Sequence, residues 1–256
     1  MEYKKIIPCL DIKDGRVVKG INFEELKDVE DPVKVAKLYD KEGADEIVLL
    51  DITATYEKRK TMIDLVKKVA KEVSAPITIG GGISTIDDME RLIDAGASKV
   101  SINTAAVKNM NLISEASKRF GKDSIVIAID TKKNGSSYDV YINGGRENTK
   151  IDVYKWCKQA ESLGAGGLLV TSIDFDGTKD GYDLELYKNI TSAVKIPVIA
   201  SGGAGSIEDF KNVFAYSNVA AALGASVFHY GEIKIRDLKE YLIKNNILCR
   251  MWLHGI

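Results

Sequence analysis

The stretch PITIGGG at residues 76–82 and the stretch IPVIASGG at residues 196–203 decide the fold of this chain, because the second repeats the first. Each is a short apolar run that ends in glycines, and the glycine pair that closes the first recurs 121 residues later in the second. The next apolar run keeps this spacing, since INTA at residues 102–105 is matched by LGAS at residues 223–226. The repeat predicts a chain built from two similar halves.

The opening of the chain is echoed in the same way. Residues 6–11 read IIPCLD and residues 124–130 read SIVIAID, so each run is apolar and ends in a carboxylate, Asp11 or Asp130. Each half is therefore expected to carry one acidic side chain at the end of its first strand.

Short apolar runs alternate with amphipathic segments eight times along the chain. The runs cover residues 5–10, 46–50, 76–79, 99–102, 124–129, 167–171, 197–200 and 219–223. They are rich in Val and Ile and show little polar alternation, which is typical of strands buried on both faces. Eight β-then-α units in one chain predict a (β/α)₈ TIM barrel that forms a single domain over residues 1–256. A doubly wound open sheet is the rival, but two similar half-barrels of four units favour a closed ring.

Local signals agree with this pattern. Pro32 follows Asp31 at the first position of a predicted helix, and Thr85 begins another. Glycines predicted to cap three helices are Gly43, Gly96 and Gly164. Residues 12–30 and 131–149 each have the turn-plus-β character of a hairpin, and both follow the strands that end in Asp.

Composition excludes several classes of function. The chain has 256 residues, a formal net charge of −1, 45% hydrophobic residues and no marked basic run, so nucleic-acid binding is not expected. The N-terminal apolar run is too short for a signal peptide, and no stretch approaches the ~20 apolar residues of a membrane span. Three distant cysteines and two histidines fit neither a disulfide framework nor a metal site, and they suit a cytoplasmic protein without a metal or cofactor.

The two strand-end carboxylates are candidates for catalysis. In a ring of eight strands, the first and the fifth lie on opposite sides, so Asp11 and Asp130 would face each other across the C-terminal mouth, where barrel enzymes build their active sites. A pair so placed can act as acid on one side of a substrate and as base on the other. The alternative is that each Asp only caps the loop that follows it.

The glycine-rich strand ends are candidates for phosphate binding. Glycines let backbone N–H groups approach an anion closely, and the start of a following helix favours negative charge. Candidate residues in one half are Gly82, Asn103 and Thr104, and those in the other are Ser201, Gly203, Gly224 and Ser226. Tight turns without a ligand are the alternative, but two paired copies at one spacing favour two phosphate sites.

Other polar residues near strand ends are less specific. Lys19 could contact a phosphate or be an ordinary solvated lysine, and Asp176 with Gly177 could hold hydroxyls or phosphate of a sugar chain. Asp51 and Asp174 could equally be polar groups satisfied within the barrel. The sequence favours structural roles for His229 and Trp156.

Together these motifs resemble a known family, the cyclase subunit of imidazole glycerol phosphate synthase. The resemblance runs from about residue 4 to residue 245 and rests on CLDIKDGRVVKG, LLDITAT, GGGI, VSINTAA, AID, TSIDFDGT, IASGGAG and GASVFH. The motifs are specific as a set, although none is specific alone.

The resemblance implies a lyase of histidine biosynthesis. Enzymes of this family add ammonia to the bis-phosphate PRFAR, the ribulosyl-formimino aminoimidazole carboxamide ribonucleotide, and form imidazole glycerol phosphate and AICAR. Asp11 and Asp130 match the catalytic acid/base residues of the family. Matches to its ligand-binding positions are Lys19, Gly82, Asn103, Thr104, Thr171, Asp176, Gly177, Ser201, Gly203, Gly224 and Ser226.

The resemblance also implies a glutaminase subunit that docks on the N-terminal face of the barrel and sends ammonia through its interior past a ring of charges. Lys5, Glu46 and Lys99 match members of this ammonia gate. Gly167 stands where an acid is expected, and Ser98 stands where an acid would face the partner. We therefore expect an incomplete ring and a leakier channel entrance.

Three rival interpretations remain. The histidine-pathway ProFAR isomerase is a similar duplicated barrel, but the loop KDGRVVKG and the run SINTAAV favour the cyclase. A non-catalytic barrel that only activates a glutaminase would not need to keep both carboxylates and both phosphate motifs. An aldolase-type barrel lacks an obvious Schiff-base lysine at a strand end.

Overall fold

A computed structural model describes residues 3–21, 24–52 and 63–251, with the backbone alone for residues 19–21 and 24–29. The strands in this part of the chain are β1 (Lys5–Lys13), β2 (Arg16–Ile21), β3 (Glu24–Glu30), β4 (Ile47–Asp51), β5 (Ile77–Gly80), β6 (Lys99–Ile102), β7 (Ile125–Asn134), β8 (Ser137–Ile142), β9 (Glu147–Asp152), β10 (Gly167–Ser172), β11 (Val198–Ser201) and β12 (Ala221–Gly224).

Parallel pairing closes eight of these strands into a barrel, in the order β1, β4, β5, β6, β7, β10, β11, β12 and back to β1. The ring closes where Lys5 pairs with Ala221, and the two halves meet at the opposite side where Ser101 pairs with Val126. The (β/α)₈ barrel is thus confirmed. Each predicted run begins within two residues of a strand, and six also end within two residues of it, whereas β1 and β7 continue three and five residues beyond their predicted ends into the hairpins.

Both predicted hairpins are present. The end of β1 pairs antiparallel with β2, which pairs with β3, and the end of β7 pairs antiparallel with β8, which pairs with β9. Each hairpin therefore extends a barrel strand beyond the C-terminal mouth and then leads into the helix that follows.

The helices wrap the outside of the barrel. They are α1 (Pro32–Glu42), α2 (Ile63–Ala70), α3 (Ile86–Asp94), α4 (Thr104–Lys108), α5 (Asn111–Phe120), α6 (Val153–Ser162), α7 (Leu184–Ala193), α8 (Ile207–Tyr216), α9 (Ser226–His229) and α10 (Ile235–Lys244). Pro32 stands at the start of α1, and Thr85 caps α3 with a reciprocal bond to Asp88. The three predicted cap glycines, Gly43, Gly96 and Gly164, all have positive φ.

The core has two layers. A large cluster lies between the barrel and its helices and includes Trp156, which is only 1% exposed. A second cluster fills the barrel interior with small and branched side chains, among them Val48, Val126 and Ile199. The interior is packed with side chains, and the open space lies at the mouth, where the loops after the strands meet.

Candidate active site

The two predicted catalytic carboxylates occupy equivalent places in the two halves. Asp11 pairs in register with Leu50 of the next barrel strand, and Asp130 pairs in register with Thr171. Each lies where its barrel strand begins to pair with a hairpin strand. Both line one cavity at the C-terminal mouth, so the fold brings them to a common site.

Asp130 is held so that it keeps its proton to an unusually high pH. Loss of solvation around the carboxyl and the negative charge of Asp176 raise its pKa from 3.8 to about 7. The side-chain amide of Asn103 donates to Asp130 Oδ2 at 3.0 Å and opposes this rise. Near neutral pH, Asp130 is therefore available both as a proton donor and as a proton acceptor.

Asp11 lies deeper in the barrel, with 6% of its surface exposed. The Cys9 thiol, two residues earlier on the same strand face, donates to Asp11 Oδ1 at a long 3.7 Å. Both side chains line the cavity that also contains Asp176. Because side chains alternate along a strand, the Cys9 thiol and the Asp11 carboxylate both face this cavity.

The first glycine cradle, residues 201–204 with residues 224–226, lines this cavity. Gly203 has φ +102°, and a Cβ there would lie 1.9 Å from the carbonyl oxygen of Gly181. The Gly181 N–H in turn donates to the Gly203 carbonyl at 2.8 Å. Only glycine allows this close backbone approach, which draws the loop around Asp176 and Gly177 against the cradle.

The second glycine cradle, residues 81–84 with residues 103–105, lines a second cavity in the other half of the mouth. The Thr104 hydroxyl accepts a hydrogen bond from the N–H of Asn143 at 3.0 Å, which leaves its own proton for another acceptor. Ser101 Oγ and Asn103 Oδ1 are buried without a hydrogen-bond partner among the described residues. Buried polar atoms are normally paired, so these two are suited to contact a ligand.

The two cavities are continuous across the mouth. They share Leu50, Asp130, Leu169 and Thr171 as lining residues. A molecule that occupied both cradles would therefore pass directly over Asp130. This arrangement suits an elongated ligand with an anionic group at each end.

The structure brings nearly all the predicted site residues to this mouth. Those that line one or both cavities are Asp11, Gly82, Asn103, Thr104, Asp130, Thr171, Asp176, Gly177, Ser201, Gly203, Gly224 and Ser226. The backbone of Lys19 belongs to β2, but its side chain lies outside what the structure describes.

The remaining polar candidates divide between the mouth and structural roles. Asp51 is buried and lines the second cavity, whereas Asp174 accepts from the N–H of Lys133 at 2.8 Å. His229 Nδ1 lies 2.7 Å from the Tyr39 hydroxyl, which fits the structural role that the sequence favours.

The opposite end of the barrel holds the predicted gate residues. Glu46 is almost fully buried, and its carboxylate binds Lys99 Nζ at 2.6 Å and accepts from the Thr78 hydroxyl at 2.5 Å. Lys5 is exposed and makes no ion pair within the described ranges. Gly167 begins β10 with no side chain toward this network.

Several residues of the mouth do not follow from the sequence motifs. Cys9 and Ser101 each lie inside an apolar run, and Lys108 and Arg146 also line the second cavity. The alternation of side chains along a strand could have indicated Cys9, two residues before Asp11, and Ser101, two residues before Asn103. No sequence signal places the two cations there, because they stand on a helix end and a hairpin turn.

Neither a metal cluster nor a membrane span is found in the described part of the chain. It contains no group of three or more His, Cys, Asp or Glu side chains arranged to hold a metal ion. None of its helices has the length and apolar character that crossing a membrane requires.

Comparison with known proteins identifies the family to which this chain is similar. Residues 5–234 match the family model described as histidine biosynthesis protein. The subunit HisF of imidazole glycerol phosphate synthase from Hydrogenobaculum sp. (strain Y04AAS1) is 59% identical over 249 residues, which covers 97% of this chain and 99% of that protein. The HisF subunits of Natranaerobius thermophilus and of Lactococcus lactis subsp. cremoris are each 56% identical, over 97% of this chain and 99% and 96% of their own lengths.

The fold defines a (β/α)₈ barrel with two glycine cradles at its mouth, and the matches define the family to which it belongs. The chain belongs to the histidine biosynthesis protein family, as a HisF-type subunit of imidazole glycerol phosphate synthase. It is the cyclase subunit of this lyase, and a subunit implies at least one partner.

Proposed function

We propose that the mouth of this barrel converts PRFAR and ammonia into imidazole glycerol phosphate and AICAR. The observation that carries the proposal is the continuous mouth, in which the two glycine cradles lie on either side of Asp130 and Asp11 lines the first cavity. A bis-phosphate whose reacting bonds lie between its two phosphates matches that arrangement. A ligand with a single phosphate would occupy only one of the two cradles.

The two carboxylates divide the proton transfers. Ammonia attacks the ribulosyl carbonyl, the formimino C–N bond to AICAR breaks, and the imidazole ring closes with loss of water. With a pKa of about 7, Asp130 holds a proton in a large fraction of molecules at neutral pH, and we assign the first proton donation to it. Asp11, on the other side of the mouth, takes the proton that ring closure releases.

We further propose that a glutaminase subunit docks on the N-terminal face and that ammonia passes through the barrel interior. The Glu46–Lys99 pair stands at that end, in line with the gate implied by the family resemblance, with Lys5 exposed beside it. Above the pair the interior offers mostly branched apolar side chains, with Thr78 and Ser101 as polar residues on neighbouring strands. Neutral ammonia can cross such a lining, whereas ammonium would leave its charge unsolvated.

The location we propose is the cytoplasm, where this biosynthetic reaction would be expected. All three cysteines are buried free thiols, as suits a reducing compartment. The whole chain, residues 1–256, is proposed to act as one barrel domain.

The catalytic proposal is tested with the purified chain, excess ammonium salt at alkaline pH, and PRFAR as substrate. We expect turnover, and we expect Asp11→Asn and Asp130→Asn each to lower kcat by at least about 100-fold, the usual contribution of a general acid or base. Turnover that survives either change would refute the assigned roles. Turnover of ProFAR without ammonium would instead favour the isomerase, and bound PRFAR without turnover would favour an activating barrel.

The docking proposal is tested by Ser98→Arg, because Ser98 is exposed just before β6 at the N-terminal end of the barrel. With a glutaminase partner supplied, the glutamine-dependent rate should fall while the ammonium-dependent rate stays unchanged. Asn111→Arg, at the exposed start of α5, adds the same charge away from that face and serves as the control. Equal glutamine-dependent rates for the two variants would count against docking at this face.

A further inference from the structure

The second glycine cradle carries two positive side chains that neither the sequence motifs nor the comparisons assign. Lys108 is the last residue of α4, and Arg146 lies in the turn between β8 and β9. Both are exposed, and both line the same cavity as Gly82, Asn103 and Thr104. They thus stand beyond the strand ends, over the place proposed for a phosphate.

The protein holds Arg146 in this position through the hairpin turn. The Arg146 N–H donates to the carbonyl of Ile142 at 3.2 Å, and its Nη1 donates to the carbonyl of Asn143 at 3.1 Å. The N–H of Asn143 is itself bonded to the Thr104 hydroxyl of the cradle. The guanidinium folds over Gly144, where a Cβ would lie 2.9 Å from Nη1, so the turn is shaped around this side chain.

Lys108 is positioned by the short helix that starts in the cradle. Thr104 and Lys108 are the first and last residues of α4, one helical turn apart, so they share a face. No ion pair of Lys108 occurs within the described ranges. Its ammonium group is therefore open to an anionic ligand of the cavity.

The cavity of the first cradle differs in its charged side chains. In the part of the chain that the structure describes, its cavity is lined by the carboxylates of Asp11, Asp130 and Asp176 and by no lysine or arginine. The second cavity also contains carboxylates, Asp51 and Asp130, but these lie on the barrel strands, whereas its two cations lie beyond them. The two cradles share a backbone design and differ in charge.

We propose that Lys108 and Arg146 form a cationic clamp that makes the second cradle the tighter of the two phosphate subsites. A phosphate monoester carries close to two negative charges at neutral pH, and arginine can bind two of its oxygens at once. The cradle's N–H groups orient the phosphate, and the clamp adds positive charge that the described residues around the first cradle do not supply. The inference rests on the proposed function, because it takes a bis-phosphate as the ligand.

The test compares Lys108→Gln, Arg146→Gln and the double variant in the ammonium-dependent assay with PRFAR. Each single change should raise KM about fivefold, the effect of losing one exposed ion pair, while kcat stays within about twofold. The slope of log KM against log salt concentration should also fall in the double variant. Arg146→Lys, which keeps the charge, should restore part of the affinity.

Lys118→Gln is the matched control, because Lys118 is an exposed lysine on α5 outside both cavities. Product inhibition identifies the subsite, since each product carries one phosphate. The double variant should weaken inhibition by one product and leave the other unchanged.

A double variant with the KM of Lys118→Gln would overturn the clamp, and so would equal weakening of both products or a fall in kcat without a rise in KM. If the wild-type chain did not turn PRFAR over, the proposed function would fail separately. Calorimetric binding of PRFAR to the same variants would then decide the clamp. Because both side chains are exposed, the variants should unfold at the wild-type urea concentration; if the double variant did not fold, the single variants and their salt slopes would carry the same comparison.

Discussion

The two half-barrels have nearly the same backbone and different side chains. The caps of α1 and α6, Asp31 and Asp152, have ψ of 126° and 129°, and each accepts a hydrogen bond from the first turn of its helix. At the mouth, Gly81 and Gly202 have φ of +91° and +95°. The shared geometry extends to the residue that precedes each short helix, since Asn103 before α4 has φ −118° and ψ −87° and Ala225 before α9 has φ −126° and ψ −78°.

The side chains at these matched positions set different chemistry. Asn103 donates to Asp130, whereas Ala225, which precedes α9 and lies one residue beyond the sequence spacing of 121, has no polar side chain to offer Asp11. The carboxylates accordingly differ in partners, with an amide beside Asp130 and the Cys9 thiol beside Asp11. The duplicated backbone thus supplies two glycine cradles, and the side chains around them differ between the two halves.

The largest expected effect comes from forcing a side chain into a matched glycine pair. Gly81→Ala would place a Cβ 2.1 Å from the carbonyl oxygen of Asp51, and Gly202→Ala would place one 2.7 Å from that of Ser172. Because both contacts are with backbone and both residues have positive φ, we expect losses of unfolding free energy of about 4 and about 3 kcal/mol. Urea denaturation measures both.

Gly121→Ala is the control that separates the loss of stability due to a positive φ from the loss due to steric overlap. Gly121 has φ +84°, and a Cβ at this position would have nothing within 4 Å, so the change should cost only about 1 kcal/mol. If Gly81→Ala were no more harmful than this control, the close approach of the cradle to β4 would not constrain the sequence as we argue.

Much of the shared frame could be predicted from the sequence, because it depends on local patterns. Apolar runs, glycine spacing and helix caps report the backbone directly, and the two Asp residues fall at strand ends where an apolar run stops. The ring of eight then fixes which strand ends face each other.

The features that differ between the halves were harder to predict, because they depend on contacts between distant segments. The hydrogen bond from Asn103 to Asp130 joins residues 27 apart, and the Glu46–Lys99 pair joins residues 53 apart. The place of Arg146 depends on the shape of a hairpin turn and on the bond between Asn143 and Thr104. Neither spacing nor periodicity encodes such distances.

A smaller effect should appear in the pH dependence of stability that Asp130 contributes. The pKa of Asp130 is about 7 in the folded protein, against 3.8 for an ordinary aspartate, so the folded state holds this proton across a pH range in which the unfolded state has lost it. Stability from this group is complete below pH 3.8, declines as the pH rises, and is fully lost above about pH 7.

Asp130→Asn should therefore stabilise the protein at pH 8 by on the order of 2 kcal/mol, about half of what the full shift would give, because the carboxyl keeps some solvent. At pH 4 the gain should vanish. Chemical denaturation at both pH values measures it, with Asp174→Asn as a control at an exposed carboxylate outside both cavities. An equal gain at the two pH values would show that the change acts through packing and not through the proton.

The smallest effect concerns the N-terminal end of the barrel, where the two halves differ at one matched charged position. Glu46 of the first half pairs with Lys99, and the matched position 121 residues later is Gly167. A Cβ at Gly167 would meet only the carbonyl oxygen of Pro197, at 3.4 Å, so Gly167→Glu should fold normally. If the missing acid leaves the proposed ammonia entrance leaky, this change should raise the yield of imidazole glycerol phosphate per glutamine hydrolysed. The rise should be less than about twofold, since it adds one charge to an entrance that already holds Glu46 and Lys99. Gly167→Gln keeps the size without the charge and should give a smaller gain. Equal yields for the wild type and both variants would mean that Glu46 and Lys99 alone close the entrance, and that the asymmetry at this end has no consequence for ammonia transfer.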